Sequence, residues 1–443
     1  METTQLTAII VFALAIALII WGKWDRTAIG LIGVVVMVIL GVMTETEAFN
    51  FVDWNVIAIL FGIWIIASYF GKTGVPQYLA VTMLKLSRKN VAIFLVLIGI
   101  LSGFISMFVD NVVVILMMAP VVLYITKRLK LSSFPFLIFV GLCANFMGTA
   151  LLLGDLPPQM LHSVSKIEFN QFIWFMGRPS SFPLLTATFL LTALFMYRFK
   201  FRRLSLENDA AVAEIIAVNP SEYIKNKRFA AVSVGLFLAT IVAMSFRQAI
   251  GHYLGFIALG GMIVLVLVNE IFSKKLESPS FEDILKELDW RAILFYVVLF
   301  ILVGALDHVG IIKAIADALA PYFKQNLVLG TSLLYWVTSP IVAVMEHDAY
   351  ILVFLYLIKD LSTATGITPW PLWWALLWAG TLGSNFTVAG APALFVTQSI
   401  CEREDNCKIH LKEFLSYSAP FVGISLIIQF MLTIVVWVLP YST

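Results

Sequence analysis

Charge is the scarcest commodity in this sequence. Asp, Glu, Lys and Arg together make up 13% of the chain, while 61% is hydrophobic. The charged share is about half that of a soluble domain. A soluble fold could not hide so much apolar surface, so the solvent around this chain is a lipid bilayer. The net charge of +2 says nothing about nucleic acid, and no nucleic-acid partner is expected. Cysteine is almost absent. Cys143, Cys401 and Cys407 form no C-x-x-C pair and have no histidine at metal spacing, which excludes a disulfide framework and a zinc site and leaves structural thiols. The first apolar run, Gln5 to Gly22, lacks the basic flank and small-x-small cleavage site of a signal peptide, so it reads as a retained helix.

Apolar runs long enough to span a membrane then recur to Tyr441. They fall at 5–22, 27–43, 54–71, 134–154, 180–197, 229–249, 254–271, 291–308, 367–397 and 419–440. Runs 91–126 and 326–359 fit neither one crossing nor two, given about 20 residues per span. Run 91–126 is flanked by Lys85, Arg88 and Lys89 before it and Lys127, Arg128 and Lys130 after it. Cytoplasmic loops collect Lys and Arg, so both ends belong on one side. The run is therefore a re-entrant hairpin with its tip at Val109–Asn111, where irregular backbone must be buried in protein or line a wet cavity. Threading the chain with both runs as hairpins puts 23 of the 29 Lys and Arg residues on one side. That bias predicts a multi-pass cell-membrane protein with both termini outside.

One long polar stretch, 198–228, divides the chain into halves 1–197 and 229–443. The halves resemble each other. "DWNVIAILFGIWIIASYFGKTG" begins at Asp53 and "DWRAILFYVVLFILVGALDHVG" at Asp289, each ending on a glycine, at an offset of 236. That offset carries Asp110 onto Glu346 and Asn111 onto His347. Farther on, "CANF" at 143–146 pairs with "GSNF" at 383–386 after a shift to 240. In the threading the halves enter the membrane from opposite sides. The fold class is thus all-α and polytopic, with two inverted repeats that each contain a re-entrant hairpin (91–126, 326–359) and a broken helix (134–161, 367–397). Such repeats mark secondary transporters, whose sites lie where the repeats meet.

The breaks supply the chemistry. Gly148, Gly154 and Pro157–Pro158 interrupt the first broken helix; Gly383, Gly390 and Pro392 interrupt the second. Interrupted helices free backbone groups for a ligand. Around them stand Asn145, Thr149 and Asp155 in the first half and Ser384, Asn385 and Thr387 in the second. The first tip (Asp110, Asn111) is expected to face the first break, and the second tip (Glu346, His347, Asp348) the second. Intramembrane acids are costly and mark ion or proton pathways. Four such acids with no Lys or Arg among them favour a cation as cargo and protons as counter-load, with His347 able to titrate. Oxygen donors suit Na⁺: Asn111, Asn145, Asn385 and Thr387 are its candidate ligands. The sequence "WPLWWALLW" from Trp370 reads as an interfacial belt in contact with lipid. His162, His252 and His410 read as solvated. An intramembrane aspartyl hydrolase would need two matched catalytic acids, which the tips do not offer. A channel would pass ions without counter-ion dependence. The chain reads as a transporter and not an enzyme.

"FVDNVVVILMMAPVV", "GTALLLGDLPPQM" and "WAGTLGSNFTVAGAPALFVTQSICERE" resemble motifs of the ArsB/NhaD permeases of the ion transporter superfamily. That group includes arsenite permeases, NhaD-type Na⁺/H⁺ antiporters and the melanosomal P protein, with dicarboxylate/sodium symporters as distant relatives. The resemblance implies a scaffold, a moving transport domain, elevator-type displacement and a homodimer. It also implies ion or substrate roles for Asp110, Asn111, Asn145, Thr149, Ser384, Asn385 and Thr387. It implies a small inorganic ion or small anion as substrate, Na⁺ or H⁺ as coupling ion, and no other cofactor. This sequence departs from the motifs at Leu156, which stretches Gly-Asp-Pro-Pro, at Gln159 in place of Asn, and at "EHDAY" in the second tip. Cation/proton antiport is the leading expectation, with arsenite efflux or sodium-coupled carboxylate transport as the alternatives.

Overall fold

The computed structural model describes residues 3–21, 23–88, 90–202, 219–345, 347–405 and 408–442. Seven helices among them are long and apolar enough to cross a membrane, from Trp54–Lys72 to Leu411–Tyr441. The only strands among the described residues are the short pair Trp174–Phe175 and Arg178–Pro179.

The internal duplication is built into the backbone at the offset of 236. Helix Trp54–Lys72 and helix Trp290–His308 are each 19 residues long. The repeated Asp-Trp does the same work in both. Asp53 accepts hydrogen bonds from the Asn55 and Val56 amides, and Asp289 from the Ala292 amide, so each aspartate caps its helix. The Trp54 indole donates to the Phe49 carbonyl at 3.1 Å and the Trp290 indole to Leu285 at 3.0 Å. Gly74 and Gly310 end these segments at φ 79° and 75°, a left-handed conformation that glycine adopts without strain.

Each awkward run is two helices joined by a short bend. The first hairpin is Val91–Ser106 and Asn111–Leu129, the second Leu327–Val342 and His347–Thr365. The bend of the first therefore lies at 107–110, not 109–111, because Asp110 caps the outgoing helix rather than sitting at its apex. The outgoing helices also run beyond 126 and 359. Lys127 and Arg128 lie in the last turn of the first, where cations suit the helix dipole. Val75–Leu86 packs against both arms of the first hairpin and Ile311–Gln325 against both arms of the second, as a reversal of the chain requires. The broken helices are Phe134–Gly148 with Leu156–Ser165, and Trp370–Ser384 with Pro392–Asp405.

The equivalence of "CANF" and "GSNF" needs correction. Phe134–Gly148 and Trp370–Ser384 are both 15 residues long and start 236 apart, so no shift to 240 occurs. Asn145 is equivalent to Thr381, and Thr149 to Asn385. The two Asn-Phe pairs lie one helical turn apart on the same face, which is why they align by eye.

Two further expectations change. The tryptophan-rich stretch is core rather than belt: Trp374 and Trp378 are completely buried, stacked at 5.4 Å, because their helix is covered on every side. His162 is buried rather than solvated. Its Nδ1 lies 2.5 Å from the Ile167 carbonyl and its Nε2 3.3 Å from Asn55 Nδ2, tying the first break to helix Trp54–Lys72. Cys143 and Cys401 are buried; Cys407 and most of the 198–228 linker lie outside the described residues.

Candidate functional site

The hairpin tips and both breaks converge on one place. Asn111, the first residue of its helix, donates to Asn145 Oδ1 at 2.9 Å and to Asp155 Oδ2 at 3.0 Å. Asn145 donates across to Ser384 Oγ at 3.0 Å and Asn385 Oδ1 at 3.2 Å. The Thr149 and Thr381 hydroxyls meet at 2.7 Å. Because 145 is equivalent to 381 and 149 to 385, the Asn145–Asn385 and Thr149–Thr381 contacts are the same contact seen from either half. All four side chains are buried. Each bond of this kind contributes about 1 kcal/mol net, but stranding a buried partner costs about 1–3 kcal/mol, so the ladder holds the halves in one register.

Two glycines let the breaks approach this closely. A Cβ on Gly154 would lie 2.1 Å from the Ser106 carbonyl and 2.5 Å from that of Gly148. The equivalent Gly390 would place one 2.2 Å from the Ser384 carbonyl. Prolines then start the next helix after Gly154, where their missing N–H costs nothing.

The acids occupy distinct surroundings. Asp110 Oδ1 accepts from the Val112 and Val113 amides at 2.9 and 3.3 Å; its other oxygen is left for the adjoining cavity. Asp155 Oδ1 accepts from the Leu156 amide at 2.9 Å, and its Oδ2 holds Asn111. Asp348 is 2% exposed, and its Oδ1 has no hydrogen-bond partner. His347 reaches from the second tip toward the first half: its Nδ1 lies 3.1 Å from the Gly390 carbonyl, and its Nε2 lies 3.5 Å from Asp348 and 4.0 Å from Asp155. Glu346 lies outside the described residues.

These groups line a cavity of about 210 Å³ with Trp64, Ser68 and Tyr296. Its lining includes Arg26, contrary to the expectation of a site without Lys or Arg. The sequence places Arg26 in a short loop between spans. The structure makes it the first residue of helix Arg26–Ile39, with Asp25 as cap, so its side chain turns to the cavity. Thr381 was also missed; the uncorrected offset of 236, carried through from Asn145, points to it.

The four candidate Na⁺ ligands are not all together. Asn111, Asn145 and Asn385 form the ladder, whereas the Thr387 hydroxyl donates to the Ala343 carbonyl and joins the second break to its hairpin. No cluster of three His, Cys, Asp or Glu residues poised for a metal ion occurs among the described residues. Beside the cavity, Asp348 Oδ1 has no hydrogen-bond partner, and Asp110 uses Oδ1 alone toward its helix.

Comparison with known proteins agrees with this architecture. The profile of a family described as citrate transporters matches residues 16–379. An uncharacterized transporter of Mycobacterium bovis is 27% identical over 95% of this chain and 96% of its own. The human P protein is 25% identical over 96% of this chain, which spans 59% of that longer protein. Among solved structures, Neisseria gonorrhoeae MtrF, described among antimetabolite efflux pumps, superposes with a TM-score of 0.56 at 14% identity over 99% of this chain and 96% of its own. The Alcanivorax borkumensis YdaH transporter superposes with a TM-score of 0.57 at 13% identity, over 98% of both chains. At such identities the likeness is one of fold.

Proposed function

The chain belongs to the citrate transporter family of membrane transporters, and on that premise we propose that it is a secondary active transporter exchanging a cation, Na⁺ foremost, for protons. The observation that carries this reading is Asp348, a buried carboxylate whose Oδ1 has no hydrogen-bond partner, lining the same cavity as Asp110. A buried carboxylate oxygen without a hydrogen bond is expensive. A proton or a cation relieves that cost, and the two relieve it competitively, which is the basis of exchange. In this reading the asparagine ladder is the frame and the carboxylates carry the load. His347 between Asp155 and Asp348 offers a path for the proton.

The way the parts pack supports a reading of alternating access. The hairpins and broken helices pack on one another. Helices Arg26–Ile39, Trp54–Lys72, Leu254–Ile271 and Trp290–His308 pair among themselves. The cavity lies between the two sets, so a displacement of the inner set against the outer one would carry the site across the membrane. Pairing of two copies through the outer set would anchor such a motion.

A second reading, transport of a small carboxylate, is favoured by Arg26 in the cavity and by the family's description. Reconstituted vesicles separate the two. With imposed Na⁺, Li⁺ and pH gradients, antiport predicts cation-driven proton movement that Asp110→Asn abolishes. Labelled citrate uptake without any cation-driven proton movement would overturn antiport in favour of the carboxylate.

A further inference from the structure

The outer and inner sets touch through polar side chains at one end of the site. Asp53 starts helix Trp54–Lys72 in the outer set, and Ser163 lies on Leu156–Ser165, the helix after the first break. Asp53 Oδ1 caps its own helix and leaves Oδ2 for the Ser163 hydroxyl, which donates to it at 2.5 Å. Beside this bond, His162 Nε2 lies 3.3 Å from Asn55 Nδ2, and Asn55 Oδ1 accepts from the Gly255 amide at 2.8 Å. Arg247, ahead of helix Leu254–Ile271, pairs with Glu168. His162 and Ser163 are buried, so this end is shut by direct contact.

The offset of 236 carries Asp53 onto Asp289 and Ser163 onto Ser399. The helices that hold the two serines begin 236 apart, at Leu156 and Pro392. At this second end the contact is unmade. Asp289 Oδ1 caps the Ala292 amide, Asp289 and Ser399 are both exposed, and no hydrogen bond joins them among the described residues. The residues equivalent to Asn55 and His162 have other partners: Arg291 lies 3.5 Å from Asp25, and Gln398 donates to Glu402 at 2.8 Å. A cavity of about 550 Å³ shares Asp289, Pro392 and Val396 with the site cavity. Open space therefore separates the two sets where the first end has them in contact.

We propose that Asp53–Ser163 and Asp289–Ser399 are alternating latches: the first closes one end of the site in this state, and the second closes the other end once the first has opened. The proposal rests on the alternating-access reading. A buried bond between a hydroxyl and a carboxylate is costly to break alone, because the stranded oxygens need new partners. A copy of the same bond at the far end offsets that cost. The two end states then lie close enough in energy for both to be populated. Serine and aspartate suit the task because both side chains are short. Their contact holds only while the two backbones are close, and a small displacement ends it.

The test needs no knowledge of the cargo. The full chain, carrying Cys407→Ser, is reconstituted in vesicles. Access is read at Met160→Cys, buried in this state, and at its equivalent Val396→Cys in the cavity wall, as the rate of labelling by a membrane-impermeant maleimide from either side. Separately, Asp289→Cys with Ser399→Cys is treated with a short bifunctional thiol reagent, and linked peptides are read by mass spectrometry. The 289–399 pair is expected to link. Ser163→Ala is expected to raise both that linking rate and the labelling of Met160→Cys on the order of tenfold, and Ser399→Ala to lower the labelling of Met160→Cys by a similar factor. Ser163→Thr, which keeps the hydroxyl, is expected to behave as wild type. Labelling of Met160→Cys with no 289–399 linking, or with no response to Ser163→Ala, overturns the latches and leaves alternating access standing. A rise in Met160→Cys labelling without a parallel rise in linking is mere loosening of the helix and also overturns them. Met160→Cys closed to the reagent from both sides in every variant, with Val396→Cys open from one side only, overturns alternating access and the proposal with it.

Discussion

The two halves share a backbone and divide the chemistry. At the offset of 236, Gly154 and Gly390 make the same close approach, and Asn145–Asn385 repeats as Thr381–Thr149. At the same offset, however, Asn111 stands opposite His347, and Asp155 opposite Ala391. The first half places one acid, Asp155, on the break, and an acid and an amide, Asp110 and Asn111, at the tip. The second has no acid at its break, where Ser384, Asn385 and Thr387 stand, and places a histidine and an acid, His347 and Asp348, on the tip. Duplication fixes where the chain bends; divergence decides which side chains stand at each bend. A strictly symmetric site would bring matched acids face to face. Here Asp155 meets His347 instead.

The shared frame is the most sensitive part to perturb. Gly154→Ala and Gly390→Ala are both expected to cost about 3 kcal/mol, read as lowered thermal unfolding temperatures in detergent, because each methyl would strike a backbone carbonyl. Tolerance of one but not the other would break the equivalence. The tips are expected to differ. Asn111→Ala removes hydrogen bonds to both Asn145 and Asp155 and is expected to lower exchange flux on the order of 100-fold. His347→Ala loses the contact to the Gly390 carbonyl and the approach to Asp348 and Asp155, and is expected to lower flux on the order of tenfold. Equal losses would mean that the tips contribute alike.

Much of this organisation is legible in the sequence because it follows from solvent and chain length. Apolar runs of about 35 residues cannot be single spans, and both prove to be hairpins. Asp-Trp repeats because capping and an indole bond are needed at each entry. The Trp370–Trp378 stretch and His162 were misread for one reason: burial by neighbouring helices leaves no local trace when almost every residue is apolar. Arg26 was hidden differently. A cation beside a short polar turn looks like a loop residue, and only the packing of its helix against Trp290–His308 shows that it faces the acids.

The smallest effect tests the pseudo-symmetry most finely. A double-mutant cycle of Thr149→Val and Thr381→Val is expected to show a coupling of about 1 kcal/mol in unfolding free energy. Additive losses would place the hydroxyls out of contact.

In the proposed exchange, cargo crosses where the two halves join. Proton-coupled cation flux in reconstituted vesicles tests it directly when Asn145→Ala is set beside Asp307→Asn, an acid at the far end of helix Trp290–His308. Flux reduced on the order of 100-fold by Asn145→Ala, with Asp307→Asn near wild type, is the predicted result. Full flux in a folded Asn145→Ala protein would contradict it.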